Sequence, residues 1–84
     1  MQESIDIRPW GKFEILSEGK NFKVKQITVL PQQRFSLQSH KNRTETWVVI
    51  EGKGQFQLNE FSTSIANGNI VVIQPGEKHR ISNT

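Results

Sequence analysis

The clearest structural signal in this chain lies at residues 47–58, which read WVVIEGKGQFQL. An unbroken apolar run of tryptophan, valine and isoleucine ends at residues 51–54, which contain two glycines. Polar and apolar side chains then alternate through residues 55–58, which is the period of a half-buried strand. The pattern therefore predicts two strands joined by a turn, with one face of the second strand against a core.

Similar short runs continue in both directions along the chain. They are rich in β-branched residues and are bounded by proline, glycine and asparagine. The further predicted strands cover residues 13–16, 22–30, 62–65, 70–73 and 79–82. Side-chain parity changes within 22–30, which predicts either a bulge near Lys25 and Gln26 or burial on both faces. No segment keeps a 3.6-residue apolar period over three turns, so the chain is predicted to be all-β, a small antiparallel sandwich or barrel.

Size and composition limit the class of protein. The chain has 84 residues, which predicts a single domain over residues 1–84. It has no cysteine, so disulfides and thiolate zinc sites are excluded. The net charge of +3 comes from scattered lysines and arginines, and with no aromatic and basic surface in view we expect no nucleic-acid binding. Because residues 1–10 do not read as a signal peptide and no apolar stretch could span a bilayer, we expect a cytoplasmic protein that does not engage membranes.

Four polar residues are spaced so that a small barrel would bring them together. Gln38 and His40 are two residues apart, so on an extended segment their side chains point to the same face. Glu45 follows at the entrance to the apolar run, and His79 begins a separate predicted strand. Two imidazoles, a carboxylate and an amide oxygen suit a divalent transition metal, so the pattern predicts a site for Zn²⁺, Mn²⁺, Fe²⁺ or Ni²⁺, with zinc first. The alternative interpretation is a polar patch on a β surface.

At these positions the sequence resembles the cupin superfamily. The matching positions are Gln38, His40, Glu45 and Gly52 in the first cupin motif, and Gly68, Gly76, His79 and Asn83 in the second. Gln38 stands where the first motif has a histidine, and Gln32 stands where it has a glycine. Within cupins, residues 8–11 (RPWG) and 36–49 resemble type II mannose-6-phosphate isomerases and the C-terminal domain of mannose-1-phosphate guanylyltransferases.

The resemblance implies a double-stranded β-helix (jelly-roll) barrel and aldose–ketose isomerisation of a sugar phosphate through an enediol, with the metal binding the carbonyl and adjacent hydroxyl oxygens. Nothing in the sequence identifies the base that would move the proton between C1 and C2. A second hypothesis is therefore a non-catalytic cupin that binds a sugar or other small metabolite as an accessory or regulatory module. A third retains the metal for oxygen chemistry, which the glutamine at position 38 disfavours.

Three basic residues near the motifs are candidates for holding the substrate phosphate. They are Arg43, Lys78 and Arg80, and the alternative for each is an exposed charge at a strand end. Because neighbours on a strand point to opposite faces, Lys78 and Arg80 are expected to face inward less readily than His79.

The remaining predictions concern packing and assembly. Trp10 and Trp47 adjoin apolar residues, which favours core or interface packing over a sugar-stacking role. The three motif glycines are predicted to take positive φ in turns. A chain this small leaves sheet edges open, so we expect a homodimer in which an N-terminal arm, residues 8–10 and 13–16, pairs with the sheet of a neighbour.

Overall fold

The computed structural model describes residues 5–84, and these form eight β-strands with no helix among them. The strands are β1 Ile5–Arg8, β2 Gly11–Glu18, β3 Lys23–Val29, β4 Glu45–Val48, β5 Lys53–Leu58, β6 Phe61–Ala66, β7 Ile70–Ile73 and β8 His79–Ser82. The predicted all-β fold is confirmed. Over the same residues there is no helix of the length and apolarity needed to cross a membrane.

All strand pairing is antiparallel and divides the strands into three sheets. The orders are β1-β2-β3, β4-β7 and β6-β5-β8. Strands β4 and β7, and strands β5 and β8, are neighbours in space although they are separated in sequence, which is how jelly-roll topologies wind. As a result β4 and β8, which carry residues from the two sequence motifs, belong to different sheets.

The core lies between the β4-β7 sheet and the β6-β5-β8 sheet. Phe56, Ile65 and Ile73 are buried there, with Trp47 and Val71 packed against them. Their burial follows from strand periodicity, because every second residue of a strand faces inward. The strand predicted from the apolar run that starts at Trp47 begins two residues earlier than expected, at Glu45, and ends at Val48. This shift places Glu45 on the ladder, opposite Ile73.

The irregularity predicted near Lys25 and Gln26 lies on the facing strand. The register shifts between Ile15 and Ser17 of β2, where Lys25 pairs with Ile15 and Val24 pairs with Ser17. The extra residue therefore sits in β2, and β3 itself is regular. The alternative explanation, burial of β3 on both faces, is wrong because residues 23–27 are exposed.

Aromatic rings connect the N-terminal sheet to the core. The ring centroids of Trp10 and Phe35 are 5.3 Å apart, those of Phe35 and Trp47 are 5.9 Å apart, and those of Trp47 and Phe56 are 5.9 Å apart. These are tilted and edge-to-face contacts of the kind that aromatic pairs prefer. Both tryptophans thus have the packing role predicted for them.

The N-terminal arm pairs within its own chain. Strand β1 lies along β2 from Ile5↔Glu14 to Arg8↔Gly11, so this edge of β2 is occupied. The homodimer stays a prediction.

The turn glycines behave as predicted. Gly52, Gly68 and Gly76 all have positive φ, between 86° and 94°. Gln32, which replaces the glycine of the cupin motif, also has a left-handed φ of 62°. A residue other than glycine in this conformation costs roughly 1–2 kcal/mol.

Gly11 is the glycine whose replacement should destabilise the fold most. Its φ is +150°, and a Cβ at this position would overlap the backbone carbonyl oxygen of Thr28 on the adjacent strand. We predict that Gly11→Ala lowers the free energy of unfolding by about 3 kcal/mol or more, because backbone cannot move aside cheaply. Urea unfolding followed by tryptophan fluorescence measures this change.

Gly52→Ala is the matched control, since Gly52 has φ +94° but a Cβ added there would meet no atom within 4 Å. Only backbone strain remains there, so a loss of roughly 1–2 kcal/mol is expected. Equal losses for the two variants would contradict the steric role of Gly11.

Candidate metal centre

His79 is held by backbone pairing on both sides. It opens β8 opposite Leu58 of β5. On its other side it exchanges two backbone hydrogen bonds with Gln38, in which each amide donates to the other carbonyl at 2.8 and 3.0 Å. The residue is only 1% exposed, and its ring meets the edge of Trp47 with centroids 5.4 Å apart. The imidazole therefore has a fixed position and direction.

The tautomer of His79 follows from its contact with Glu77. Nδ1 lies 3.1 Å from the Glu77 carbonyl oxygen, and because a carbonyl only accepts, Nδ1 carries the proton and donates. The other ring nitrogen, Nε2, then has a lone pair available in the neutral ring. This arrangement, with one nitrogen bonded to a carbonyl and the other free, is the usual one for a metal-binding histidine.

Glu45 directs one carboxylate oxygen at this lone pair. The indole Nε1 of Trp47 donates to Oε1 at 3.2 Å, which orients the carboxylate. Oε2 is buried and has no hydrogen-bond partner, although His79 Nε2 lies 3.4 Å away and His40 Nε2 lies 3.2 Å away. One ligand atom from each of these three residues lies within 4.8 Å of the other two.

Three electron-pair donors at this separation need a cation. A carboxylate oxygen gains no hydrogen bond from an imidazole nitrogen that carries no proton, and leaving such an oxygen buried without a partner is unfavourable. Burial, followed by the positive charge of Arg43, lowers the pKa of His40 and so favours its neutral form. Two nitrogens and one carboxylate oxygen are suitable ligands for zinc and similar divalent ions, so the residues present fit a metal.

Gln38 lies beside this cluster. It pairs directly with His79, and directly opposed residues of an antiparallel pair have their side chains on the same face. Its side chain is exposed. A fourth ligand position for the amide oxygen is consistent with this placement and stays a prediction.

The three predicted phosphate-binding residues have different positions. Arg43 contacts the cluster, with Nη2 at 2.9 Å from His40 Nε2 and Nε at 3.6 Å from Glu45 Oε2. Arg80 donates to Gln57 Oε1 at 3.1 and 3.3 Å, and both residues follow the strand alternation that turns them away from the face of His79. Lys78 is exposed, and Asn59 bonds its backbone. Only Arg43 of the three is brought to the cluster.

Lys25 is a residue near the cluster that the sequence did not indicate. It shares one face of the β1-β2-β3 sheet with Phe13, and its Nζ lies 4.7 Å from the centre of the Phe13 ring. Desolvation and the charge of Arg43 lower the pKa of Lys25, while the charge of Glu45 opposes this change. No sequence signal could single out Lys25, because it is one of several scattered lysines and its position depends on the β2–β3 register.

Comparison with known proteins identifies the family of this chain. The family model described as mannose-6-phosphate isomerase C-terminal matches residues 2–84. The mannose-1-phosphate guanylyltransferase RfbM of Salmonella typhimurium is 34% identical over 76 residues, and the alginate biosynthesis protein AlgA of Pseudomonas aeruginosa is 36% identical over 76 residues. Each alignment covers 90% of this chain, and the chain spans 16% of the length of either relative.

A solved structure shows the same fold. The plu4264 protein of Photorhabdus luminescens superimposes with a TM-score of 0.76 over 95% of this chain and 69% of its own, at 18% sequence identity. At that identity the similarity concerns the fold alone. The family match over nearly the whole sequence goes further, and the chain belongs to the family of mannose-6-phosphate isomerase C-terminal domains.

Proposed function

We propose that this domain binds a divalent metal and acts in the aldose–ketose isomerisation of a sugar phosphate, with mannose 6-phosphate as the expected substrate. The observation that carries the proposal is the convergence of His40, Glu45 and His79 on one buried carboxylate oxygen without a hydrogen-bond partner. The family description supports the isomerase part.

The proposed ligands are His40, Glu45 and His79, with Gln38 as the fourth. Zinc is the first choice for this set, and Mn²⁺, Fe²⁺ and Ni²⁺ are the alternatives. When bound, such an ion supplies Lewis-acid polarisation of a carbonyl and the neighbouring hydroxyl oxygen. The chain's own contribution is orientation, because the Trp47 indole fixes the Glu45 carboxylate and the Glu77 carbonyl fixes the His79 ring.

The charges around the cluster favour an anionic ligand. The proposed ligand set has one formal negative charge, that of Glu45, and the cations Arg43 and Lys25 lie close enough for their charges to interact. A site with a net positive charge attracts anions. Arg43, whose planar fork suits phosphate, is the residue that we propose for this contact.

A specific observation supports the alternative of a non-catalytic binding module. The isomerisation needs a base, and Glu77 is the other acid near His79 in sequence. Its carboxylate is already engaged, since Oε1 accepts from the Gln74 amide at 2.7 Å and Oε2 accepts from Asn59 Nδ2 at 3.4 Å. Glu77 therefore serves the turn before β8, and a ligand-binding domain without turnover is the second candidate function.

The metal part of the proposal predicts that Glu45→Gln lowers stability relative to wild type only when zinc is present. The amide oxygen can keep the Trp47 bond, and the amide N–H can donate to an imidazole nitrogen that now faces a bare oxygen. With a chelator present, the free energy of unfolding should be unchanged or raised by about 1 kcal/mol. With excess zinc, the wild type should be stabilised and the variant should not.

Thermal unfolding with EDTA and with zinc, together with metal analysis of untagged protein, measures both effects. His79→Ala is the second variant and should lose stoichiometric metal. Glu77→Gln is the control, because its carboxylate bonds the turn and not the cluster, so it should retain zinc-dependent stabilisation. Equal zinc stabilisation of wild type and Glu45→Gln would remove Glu45 from the metal site.

The catalytic part predicts conversion of mannose 6-phosphate to fructose 6-phosphate by the zinc-loaded protein, in a coupled assay. Gln38→Ala should reduce turnover by roughly tenfold or more, since it removes one proposed metal ligand. Tight binding of mannose 6-phosphate without turnover, under each of the four metals, would contradict the isomerase and favour the binding module.

A further inference from the structure

Among residues 5–84, Arg43 is the one residue whose side chain forms a hydrogen bond with a ring nitrogen proposed to bind the metal, that of His40. Its Nη2 lies 2.9 Å from His40 Nε2, and because a guanidinium only donates, Nε2 is the acceptor. Its Nε also lies 3.6 Å from Glu45 Oε2. The arginine therefore brings a positive charge to the point where the ligand atoms of His40, Glu45 and His79 converge.

This hydrogen bond and metal ligation exclude each other. An imidazole nitrogen has one lone pair, which lies in the plane of the ring. The lone pair of His40 Nε2 accepts from Arg43 or binds a metal ion, and it cannot do both. A metal that uses this nitrogen must therefore break a charge-assisted hydrogen bond, a strong class of hydrogen bond.

Of the groups at the cluster, the Arg43 side chain is the least constrained by packing. His79 is 1% exposed and paired on both sides, and the Glu45 carboxylate is held by Trp47. The Arg43 side chain is 52% exposed and lies in the loop that precedes β4. Its long side chain can turn toward solvent without any strand being disturbed.

We propose that Arg43 is an internal counter-cation that competes with the divalent metal for His40 Nε2 and leaves when the metal binds. This inference rests on the metal-binding part of the proposed function and goes beyond it. The competition lowers the metal affinity of the site. The competition also couples metal binding to anion binding, because the released guanidinium would then be free to hold an anionic group.

A general charge effect must be separated from this direct competition. Loss of any nearby positive charge strengthens metal binding through the electric field. Lys25 provides the matched control, since its charge interacts with Glu45 as that of Arg43 does, and among residues 5–84 no hydrogen bond or ion pair joins it to the cluster. Arg43→Met and Lys25→Met each remove one positive charge, but only the first frees the His40 lone pair.

The test is a zinc titration of the full chain against a chromophoric chelator of known affinity, for wild type and both variants, at low and high salt. We expect Arg43→Met to raise the zinc association constant by about tenfold or more at both salt concentrations, since a direct contact is screened little. Lys25→Met should raise it by about threefold or less, and high salt should reduce this gain. Equal gains for both variants, or no gain for Arg43→Met, would overturn the competition.

Thermal unfolding gives a second readout with opposite signs. In EDTA, Arg43→Met should unfold at a lower temperature than wild type, because the acceptors of the cluster lose their cation. In saturating zinc this difference should disappear or reverse. A variant that is less stable by the same amount in both conditions would contradict the proposal.

Neither readout uses turnover, so the outcomes separate this inference from the proposed isomerase. The predicted order of zinc affinities without isomerase activity would support the competition and contradict the isomerase. Absence of zinc binding in wild type and in Arg43→Met would overturn the inference together with the metal centre.

Discussion

The buried Oε2 of Glu45 faces two imidazole nitrogens and has no hydrogen-bond partner, because the nearest guanidinium nitrogen, Nε of Arg43, lies 3.6 Å away. Three acceptors cannot satisfy one another, so this oxygen needs a cation, and the surrounding structure keeps it in this position. The Trp47 indole holds the other carboxylate oxygen, and the Glu77 carbonyl fixes the tautomer of His79. Each of these contacts orients a lone pair toward the same point.

The fold supplies the distances that make this arrangement possible. Glu45 begins β4 in one sheet and His79 begins β8 in the other, so the gap between their side chains is set by the packing of the core. Trp47 belongs both to the core and to the candidate site, because its ring packs on Phe56 and on His79 while its nitrogen bonds Glu45. The stability of the sandwich and the geometry of the site thus depend on the same aromatic side chain.

Local periodicity explains which features the sequence could predict. The all-β class and most strands followed from short apolar runs and turn residues, and the alternation of side chains correctly placed His79 inward and Arg80 outward. The bulge was predicted on the wrong strand, because the parity change that suggested it lies in β3, which is regular, whereas the extra residue lies in β2 between Ile15 and Ser17. The proximity of Lys25 could not be predicted, since it depends on pairing between strands and not on local pattern.

The positive charges available to Glu45 differ in how directly they interact with the cluster. Arg43 reaches the cluster directly, and Lys25 acts on it through its charge from the neighbouring sheet. A divalent ion would bring two charges to a point where each side chain brings one, and it would interact with all the lone pairs at once. A guanidinium on an exposed side chain satisfies only one imidazole at hydrogen-bond distance. A small divalent ion would therefore satisfy these lone pairs more completely than Arg43 does, and this difference in free energy would favour metal binding over the arginine contact.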